Sequence, residues 1–168
     1  MGLKRAFVIG LCLAAVAAVV MLAAVIIRPP KIYISEICPS NSETSKKTAM
    51  QDKNGEPSDW IEIYNPTNKD ISLTGFSLSK NGGGDQPLGG YVIKAHDYII
   101  VYCSSAGFEN ADFPHADFSI GKVSEAEIIL KYDSLQCESI KMPKLNKGVS
   151  YSKNVKGEMY VSEPTPLA

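Results

Sequence analysis

The chain has 168 residues, enough for one domain with an appendage, and a formal net charge of −1. All 18 acidic residues but only 14 of the 17 basic ones lie beyond position 28, so that part is acidic, with a formal charge of −4. This balance argues against non-specific nucleic-acid binding, which depends on a concentrated positive field. Lysines do gather late in the chain, where a scattered set usually forms a solvated face. They are Lys141, Lys144, Lys147, Lys153 and Lys156.

An uncharged apolar run of 22 residues occupies positions 6–27. As a helix rising 1.5 Å per residue it would be about 33 Å long, enough to cross a bilayer core of roughly 30 Å. Lys4 and Arg5 precede the run, and Pro29-Pro30 ends it because proline has no backbone N–H to continue a helix. The run therefore predicts a single transmembrane anchor.

Two interpretations of the run compete, a retained anchor and a cleaved signal peptide. The apolar part of a signal peptide is usually about 7–15 residues, followed by a polar stretch and a cleavage site between small residues. Here the run is longer and no polar stretch follows it. The sequence favours the uncleaved anchor, and cleavage would give a secreted protein. Because Lys4 and Arg5 flank the short N-terminal side, we expect that end inside the cell and the bulk of the chain outside.

From residue 32 onward, short runs of β-branched and aromatic residues alternate with turn formers. This spacing is typical of a β-sandwich or a small barrel, and no helical period appears outside the anchor. We therefore predict an all-β domain. The predicted strands are Ile32–Ile37, Trp60–Tyr64, Ile71–Leu78, Tyr91–Ile93, Tyr98–Cys103, Glu127–Tyr132, Cys137–Met142 and Val149–Tyr151.

Two of these strands carry further information about their surroundings. In the strand at 59–64, alternation places Ile61 and Ile63 on one face and Glu62 on the other. In Tyr98–Cys103 both faces are apolar, which indicates a central strand covered on both sides.

Several strings of residues occur in a specific order and at a specific separation. They are ISEI at 34–37, DKNG at 52–55 leading to SDWIEIYN at 58–65, ISLTGFSLS at 71–79, IKAHDY at 93–98 and EPTP at 163–166. With these strings the chain resembles the lamin-tail domain, the immunoglobulin-like fold of nuclear lamins that also occurs in bacterial secreted proteins. The resemblance covers about residues 31–166 and implies an immunoglobulin-like β-sandwich. It also implies a glycine in the turn where this chain has His96-Asp97.

Candidate metal ligands lie near the DKNG string. The oxygen-bearing side chains of Asp52, Asn54, Asp59 and Glu62 are weak candidates for calcium ligands, since hard cations prefer clustered oxygens. The segment lacks the spacing of an EF-hand, and Asn54-Gly55 is already explained as a turn. We expect no cofactor.

Candidate catalytic groups are few. A histidine and an aspartate with a nearby serine could form a hydrolytic triad, but no nucleophile elbow of the G-x-S-x-G type is present. The candidates are His96, His115, Asp97, Asp117, Ser104 and Ser105. Glu62, inside a strand, could be catalytic, but such a residue more often hydrogen-bonds loop backbone or lies on an open sheet face. We expect the chain not to be an enzyme.

The cysteines allow more than one arrangement. Cys12 lies in the apolar run, whereas Cys38, Cys103 and Cys137 follow it. One disulfide with one free thiol, or three buried thiols, are both open, and no spacing suggests zinc.

Together these features predict a membrane-anchored, extracytoplasmic lamin-tail-like binding or scaffold module without catalytic activity. Its partner would be a protein, a cell-wall polymer or a nucleic acid rather than a small molecule, with contacts made by loops at one end of the sandwich. These loops are Cys38–Ser58, Lys80–Gly90 and Ser104–His115. The predicted organisation is a cytoplasmic N-terminus at 1–5, the anchor at 6–27, a linker at 28–31 and the domain at 32–166. The alternatives are an accessory N-terminal domain of a longer cell-surface enzyme (nuclease, phosphoesterase or spore-coat-kinase-like) and a purely structural spacer.

Overall fold

A computed structural model describes residues 28–39, 41, 50–52, 55–104, 113–121 and 125–167. The chain divides into two units, Met1–Pro30 and Lys31–Ala168. The predicted anchor at 6–27 lies outside the described residues, and residues 28–30 have no regular secondary structure. Within the described ranges, no helix has the length and apolar character needed to span a bilayer.

The second unit is built of β-strands, and twelve of them fall within the described residues. They are β1 (Tyr33–Cys38), β2 (Asp59–Tyr64), β3 (Ile71–Ser72), β4 (Phe76–Lys80), β5 (Gln86–Pro87), β6 (Val92–Ile93), β7 (Tyr98–Cys103), β8 (His115–Ala116), β9 (Ala126–Tyr132), β10 (Leu135–Met142), β11 (Ser150–Lys153) and β12 (Met159–Ser162).

The strands form two main sheets and one short pair. The larger sheet has the order β12-β11-β1-β2-β7-β8, the smaller has the order β10-β9-β4-β5, and β3 pairs with β6. The pairings are antiparallel except that of β7 with β8, which is parallel. The all-β prediction is confirmed, and the arrangement is consistent with an immunoglobulin-like sandwich.

One hydrophobic core joins the two main sheets. Ile63 and Val101 from the larger sheet lie in the same buried cluster as Leu78 and Leu130 from the smaller sheet. All four side chains have no solvent exposure. Alternate residues of each strand supply this cluster, so the period of two in the sequence is what brings the sheets together.

The predicted strand at 71–78 is divided into β3 and β4 by a turn. Gly75 lies in that turn with a φ of 87°, a left-handed conformation that favours glycine, and Phe76 N donates to Leu73 O at 2.9 Å. A Cβ atom on Gly75 would lie 2.9 Å from Asp133 Oδ1. The chain therefore bends before Phe76, whose ring lies in the core.

The turn before β7 uses the same backbone region without a glycine. His96 has a φ of 56°, and its ring nitrogen Nε2 lies 2.6 Å from Asn68 Oδ1. Asp97 O accepts a hydrogen bond from Asn65 N at 3.0 Å. The chain thus keeps a left-handed turn at the position where the resemblance implies glycine.

Replacing Gly75 by alanine should lower the free energy of unfolding by about 1–3 kcal/mol, since the new side chain meets both an unfavourable φ and Asp133. Chemical denaturation measures the change. Gly84→Ala is the control, because no atom lies within 4 Å of its Cβ position. Equal stabilities for the two variants would contradict the role given to Gly75.

Candidate functional site

Two buried glutamates lie side by side on the outer face of the larger sheet, the face turned away from the core. Glu36 on β1 and Glu62 on β2 are register partners in neighbouring strands. Each is only 2% exposed. The face of β2 that carries Glu62 is therefore covered.

The cover is the segment of residues 163–167, which follows β12 and which we call the C-terminal strap. Thr165 N donates to Glu36 Oε1 at 3.1 Å, and Thr165 Oγ1 donates to Glu36 Oε2 at 2.9 Å. Leu167 N donates to Glu62 Oε2 at 2.6 Å. Glu62 thus hydrogen-bonds loop backbone, which is one of the roles that the sequence indicates for it.

A β-bulge in β1 completes the site. The register of β1 with β2 shifts between Ile34 and Glu36, which leaves Ser35 as the extra residue. Ser35 Oγ donates to Glu62 Oε1 at 2.6 Å. As a result, all four oxygens of the two carboxylates accept a hydrogen bond from a neutral donor.

The electrostatics of the pair follow from burial. Removal from water raises the pKa of Glu62 above its ordinary value of 4.5, the bonds from Ser35 and Leu167 oppose this, and the charge of Glu36 raises it further. Within the described part of the chain, no ion pair reaches either carboxylate. The pair therefore depends on hydrogen bonds for its stabilisation.

A cavity of about 210 Å³ lies beside the strap and is bordered by both glutamates. Tyr33, Tyr64 and Tyr98 form a row of aromatic rings across β1, β2 and β7, with centroid separations of 5.4 and 4.5 Å. Lys153 Nζ lies 4.7 Å from the centre of the Tyr33 ring. The rings of Tyr33 and Tyr98 thus border the cavity, while the four carboxylate oxygens beside it are already hydrogen-bonded.

At the other end of the same face, residues 41, 50 and 51, between β1 and β2, lie against the sheet. Trp60 and Tyr102 form a small second cluster there. Asn41 Nδ2 donates to Ser58 O at 3.0 Å and also to Met50 O, and Tyr102 Oη donates to Gln51 O at 2.7 Å. The described parts of this loop are therefore fastened to the sheet. The apolar pattern of β7 also fits, since it is buried on both faces as predicted.

The calcium candidates are engaged in separate places. Asp52 Oδ2 accepts from Ser58 Oγ at 2.7 Å, whereas Asp59 Oδ2 accepts from Ile120 N at 3.1 Å and from Gly121 N at 3.2 Å. Asn54 lies outside the described residues. The residues that the structure covers contain no group of three or more His, Cys, Asp or Glu side chains placed to hold a metal ion. Asp52 and Asp59, two of the weak calcium candidates, therefore belong to separate hydrogen-bonded groups.

The structure brings together one pair of the catalytic candidates. Ser104 Oγ lies 2.9 Å from His115 Nε2. Burial lowers the pKa of His115, while Asp117 and Asp52 act in the opposite direction. Ser104 N donates to Ala116 O at 3.2 Å, so this N–H is not available to stabilise an oxyanion.

Two of the other described candidates, His96 and Asp97, have hydrogen-bond partners elsewhere. His96 contacts Asn68, and Asp97 Oδ1 accepts from Tyr98 N at 2.8 Å. Ser105 lies outside the described residues.

No disulfide joins the described cysteines. Cys38 and Cys103 are buried and Cys137 is half-buried, so neither of the two arrangements left open by the sequence is matched fully. Burial raises the pKa of Cys103 well above its ordinary value, which disfavours the reactive thiolate.

Sequence reasoning did not single out Glu36 or Thr165 as site residues. The signal was present, because both residues lie in the quoted strings ISEI and EPTP. EPTP meets ISEI at Glu36, and ISEI meets SDWIEIYN at Glu62, where Leu167, the residue after EPTP, also bonds. Their meeting point is set by sheet pairing between residues up to 129 positions apart, which no local pattern contains.

Comparison with known protein families gives one match. The lamin tail domain is similar to this chain over residues 28–138, which is more than half of its length. A search of curated proteins found no significant match. The matched range includes Glu36 and Glu62, whereas the strap lies beyond it.

Replacing Glu62 by glutamine should make the stability less dependent on pH. Because the folded-state pKa of Glu62 is raised, its contribution is fully present below about pH 4.5 and is lost as the pH rises through the folded value. From pH 4.5 to 7, the free energy of unfolding of the wild type should therefore fall relative to that of Glu62→Gln. Urea denaturation across this range measures it.

Glu125→Gln, which changes an exposed carboxylate, is the control for this experiment. A difference between the wild type and Glu62→Gln that stays constant with pH would contradict the assignment.

Proposed function

The chain belongs to the lamin tail domain family, and we propose that it acts as a binding module held at a membrane, on its outer side. The family match carries the proposal, because the matched range contains most of the β-sandwich and its loops. A fold of this kind presents loops from a rigid scaffold, where binding residues are commonly found. The partner we propose is a protein, a cell-wall polymer or a nucleic acid, outside a bacterial membrane.

The loop between β4 and β5 is exposed, whereas the loop after β1 is hydrogen-bonded to the domain. This difference supports the proposal that loops at one end of the sandwich contact the partner. Residues 81–85, between β4 and β5, are exposed throughout, with an ion pair between Asp85 and Lys131 at their base. The loop after β1 is fastened by Asn41 and Asp52. A fastened loop next to an exposed one is suited to specific contact with a large partner.

The membrane attachment rests on the apolar run at 6–27. Its length matches a bilayer core, and the short basic segment before it favours an inside N-terminus.

We expect protease added to intact cells to remove the domain and leave residues 1–27 in the membrane, because the domain would lie outside. Immunoblotting of cells that express the chain with a tag at each end measures this. Protection of the C-terminal tag until the cells are lysed would contradict the proposed orientation.

The absence of catalysis is also part of the proposal. Ser104 Oγ and His115 Nε2 are as close as a nucleophile and its general base would be. However, the backbone N–H of Ser104 already donates a hydrogen bond to Ala116 O. We infer a structural hydrogen bond that fixes the start of β8 beside the end of β7. A covalent adduct at Ser104 after treatment with a fluorophosphonate, absent in Ser104→Ala, would contradict this.

Scrambling residues 81–85 should abolish retention of the partner, since every residue of this tip is exposed. The detergent-solubilised full chain is immobilised and exposed in turn to purified cell-wall polymer, surface-protein extract and duplex DNA. A chain with residues 155–157 scrambled, in the hairpin between β11 and β12, is the control and should retain the same material. Equal retention by the two variants, or none by the wild type, would contradict the proposal.

A further inference from the structure

The strap is attached to the domain mainly through its polar groups. Glu163, Thr165 and Leu167 are exposed, and Pro164 and Pro166 are only half-buried. None of residues 163–167 belongs to a strand. Its bonds to the sheet are the three to Glu36 and Glu62. The strap can therefore leave without opening the core between the sheets.

The site beneath the strap needs an occupant. Without the strap, Glu36 would lose both of its hydrogen-bond donors, and Glu62 would keep only Ser35. When the strap leaves, both carboxylates are uncovered, and ordered water must replace the lost donors beside two adjacent acidic groups, which is costly. Any segment that presents the same donors at the same spacing would relieve this cost.

The path of the strap shows what such a segment must look like. It leaves β12 at Ser162 and crosses β11 to reach Glu36 on β1, and then Glu62 on β2. Neighbouring strands are about 4.8 Å apart, so the three residues from 162 to 165 cover roughly 10 Å and are nearly extended. The required ligand is a segment that is extended up to its first donor residue, which also carries a hydroxyl, and then turns to present a second N–H two residues later. The turn is at Pro166 and Leu167, where Leu167 has a φ of 61°. Pro164 and Pro166 favour the extended part that precedes the turn.

We propose that the Glu36–Glu62 pair is an exchangeable docking site, and that the strap of a second copy of this chain occupies it in trans. The second copy is the partner that the structure itself identifies, because its residues 163–167 carry the same donors in the same order. In the closed form the strap occupies the site of its own chain, and in the exchanged form it occupies the site of the second copy. The two forms contain the same hydrogen bonds and differ chiefly in chain entropy. This interaction does not depend on the loops that carry the proposed function.

The closed form is favoured over the exchanged form because the strap is joined to its own domain. This short connection gives the strap an effective concentration on the order of millimolar at its own site, so exchange in the wild type requires a comparable concentration of chains. Variants that remove this internal competition should reveal the exchange at much lower concentration.

Complementary variants test the proposal directly. The strap variant Thr165→Pro/Leu167→Pro lacks all three donors but keeps both glutamates. The pocket variant Glu36→Ala/Glu62→Ala keeps the strap but removes all the carboxylate oxygens to which it bonds. Each full-length chain, in detergent and with its own affinity tag, should be monomeric alone. Mixed one to one, they should co-purify as a heterodimer.

Two strap variants with different tags are the matched control and should not co-purify. Failure of the complementary pair to associate, with both variants folded by circular dichroism, would overturn the proposal.

A peptide measurement keeps the proposal testable if the pocket variant does not fold. The probe is the heptapeptide Ser-Glu-Pro-Thr-Pro-Leu-Ala, which is the sequence of residues 162–168. It should bind the strap variant at least about tenfold more tightly than the wild type, whose own strap competes. The peptide Ser-Glu-Pro-Pro-Pro-Pro-Ala should not bind. Equal affinities for the two proteins, or for the two peptides, would overturn the proposal.

One further measurement distinguishes the exchange of straps from the proposed binding function. It asks whether the strap variant retains the partner that is proposed to bind the loops. If the strap variant still retains that partner but takes no peptide, the exchange is wrong and the proposed function stands.

Discussion

Two carboxylates are buried on neighbouring strands of one sheet, and this constraint organises the outer face of the domain. Glu36 and Glu62 are each 2% exposed, and the described residues place no cation against them. Burial of like charges is tolerated only when hydrogen-bond donors surround them. The bulge at Ser35 and the strap together supply a hydrogen-bond donor to every carboxylate oxygen.

The same constraint explains why the larger sheet is covered on both faces. Its inner face packs on the smaller sheet through side chains such as Ile63 and Val101. Its outer face is closed at one end by the strap and at the other by the loop that Asn41 fastens over Trp60. Strands β1 and β2 therefore lie in the middle of the sheet, and both of their faces are covered.

Local chemistry explains which elements could be read from the sequence. Strands β2, β7 and β9 are buried segments of 6, 6 and 7 residues, so the apolar pattern marked each of them within one residue. Strand β12 was missed because it is an edge strand, half-buried or exposed along its length, with Tyr160 and Val161 about half exposed. The two-residue strands β5 and β8 are too short to form a pattern. The single strand predicted at 71–78 is two, because the left-handed φ of Gly75 ends the first.

The sequence by itself determined that the domain is all-β, and it contained the strings that mark a lamin tail domain, because alternation and turn chemistry are local properties. It also contained every residue of the glutamate site. Only the tertiary structure decided that Glu36, Glu62 and Thr165 meet, since that contact joins residues 129 positions apart through sheet pairing. Likewise Ser104 and His115 were both candidates in the sequence, but their hydrogen bond, and the use of the Ser104 amide by Ala116, follow from the parallel pairing of β8 with β7.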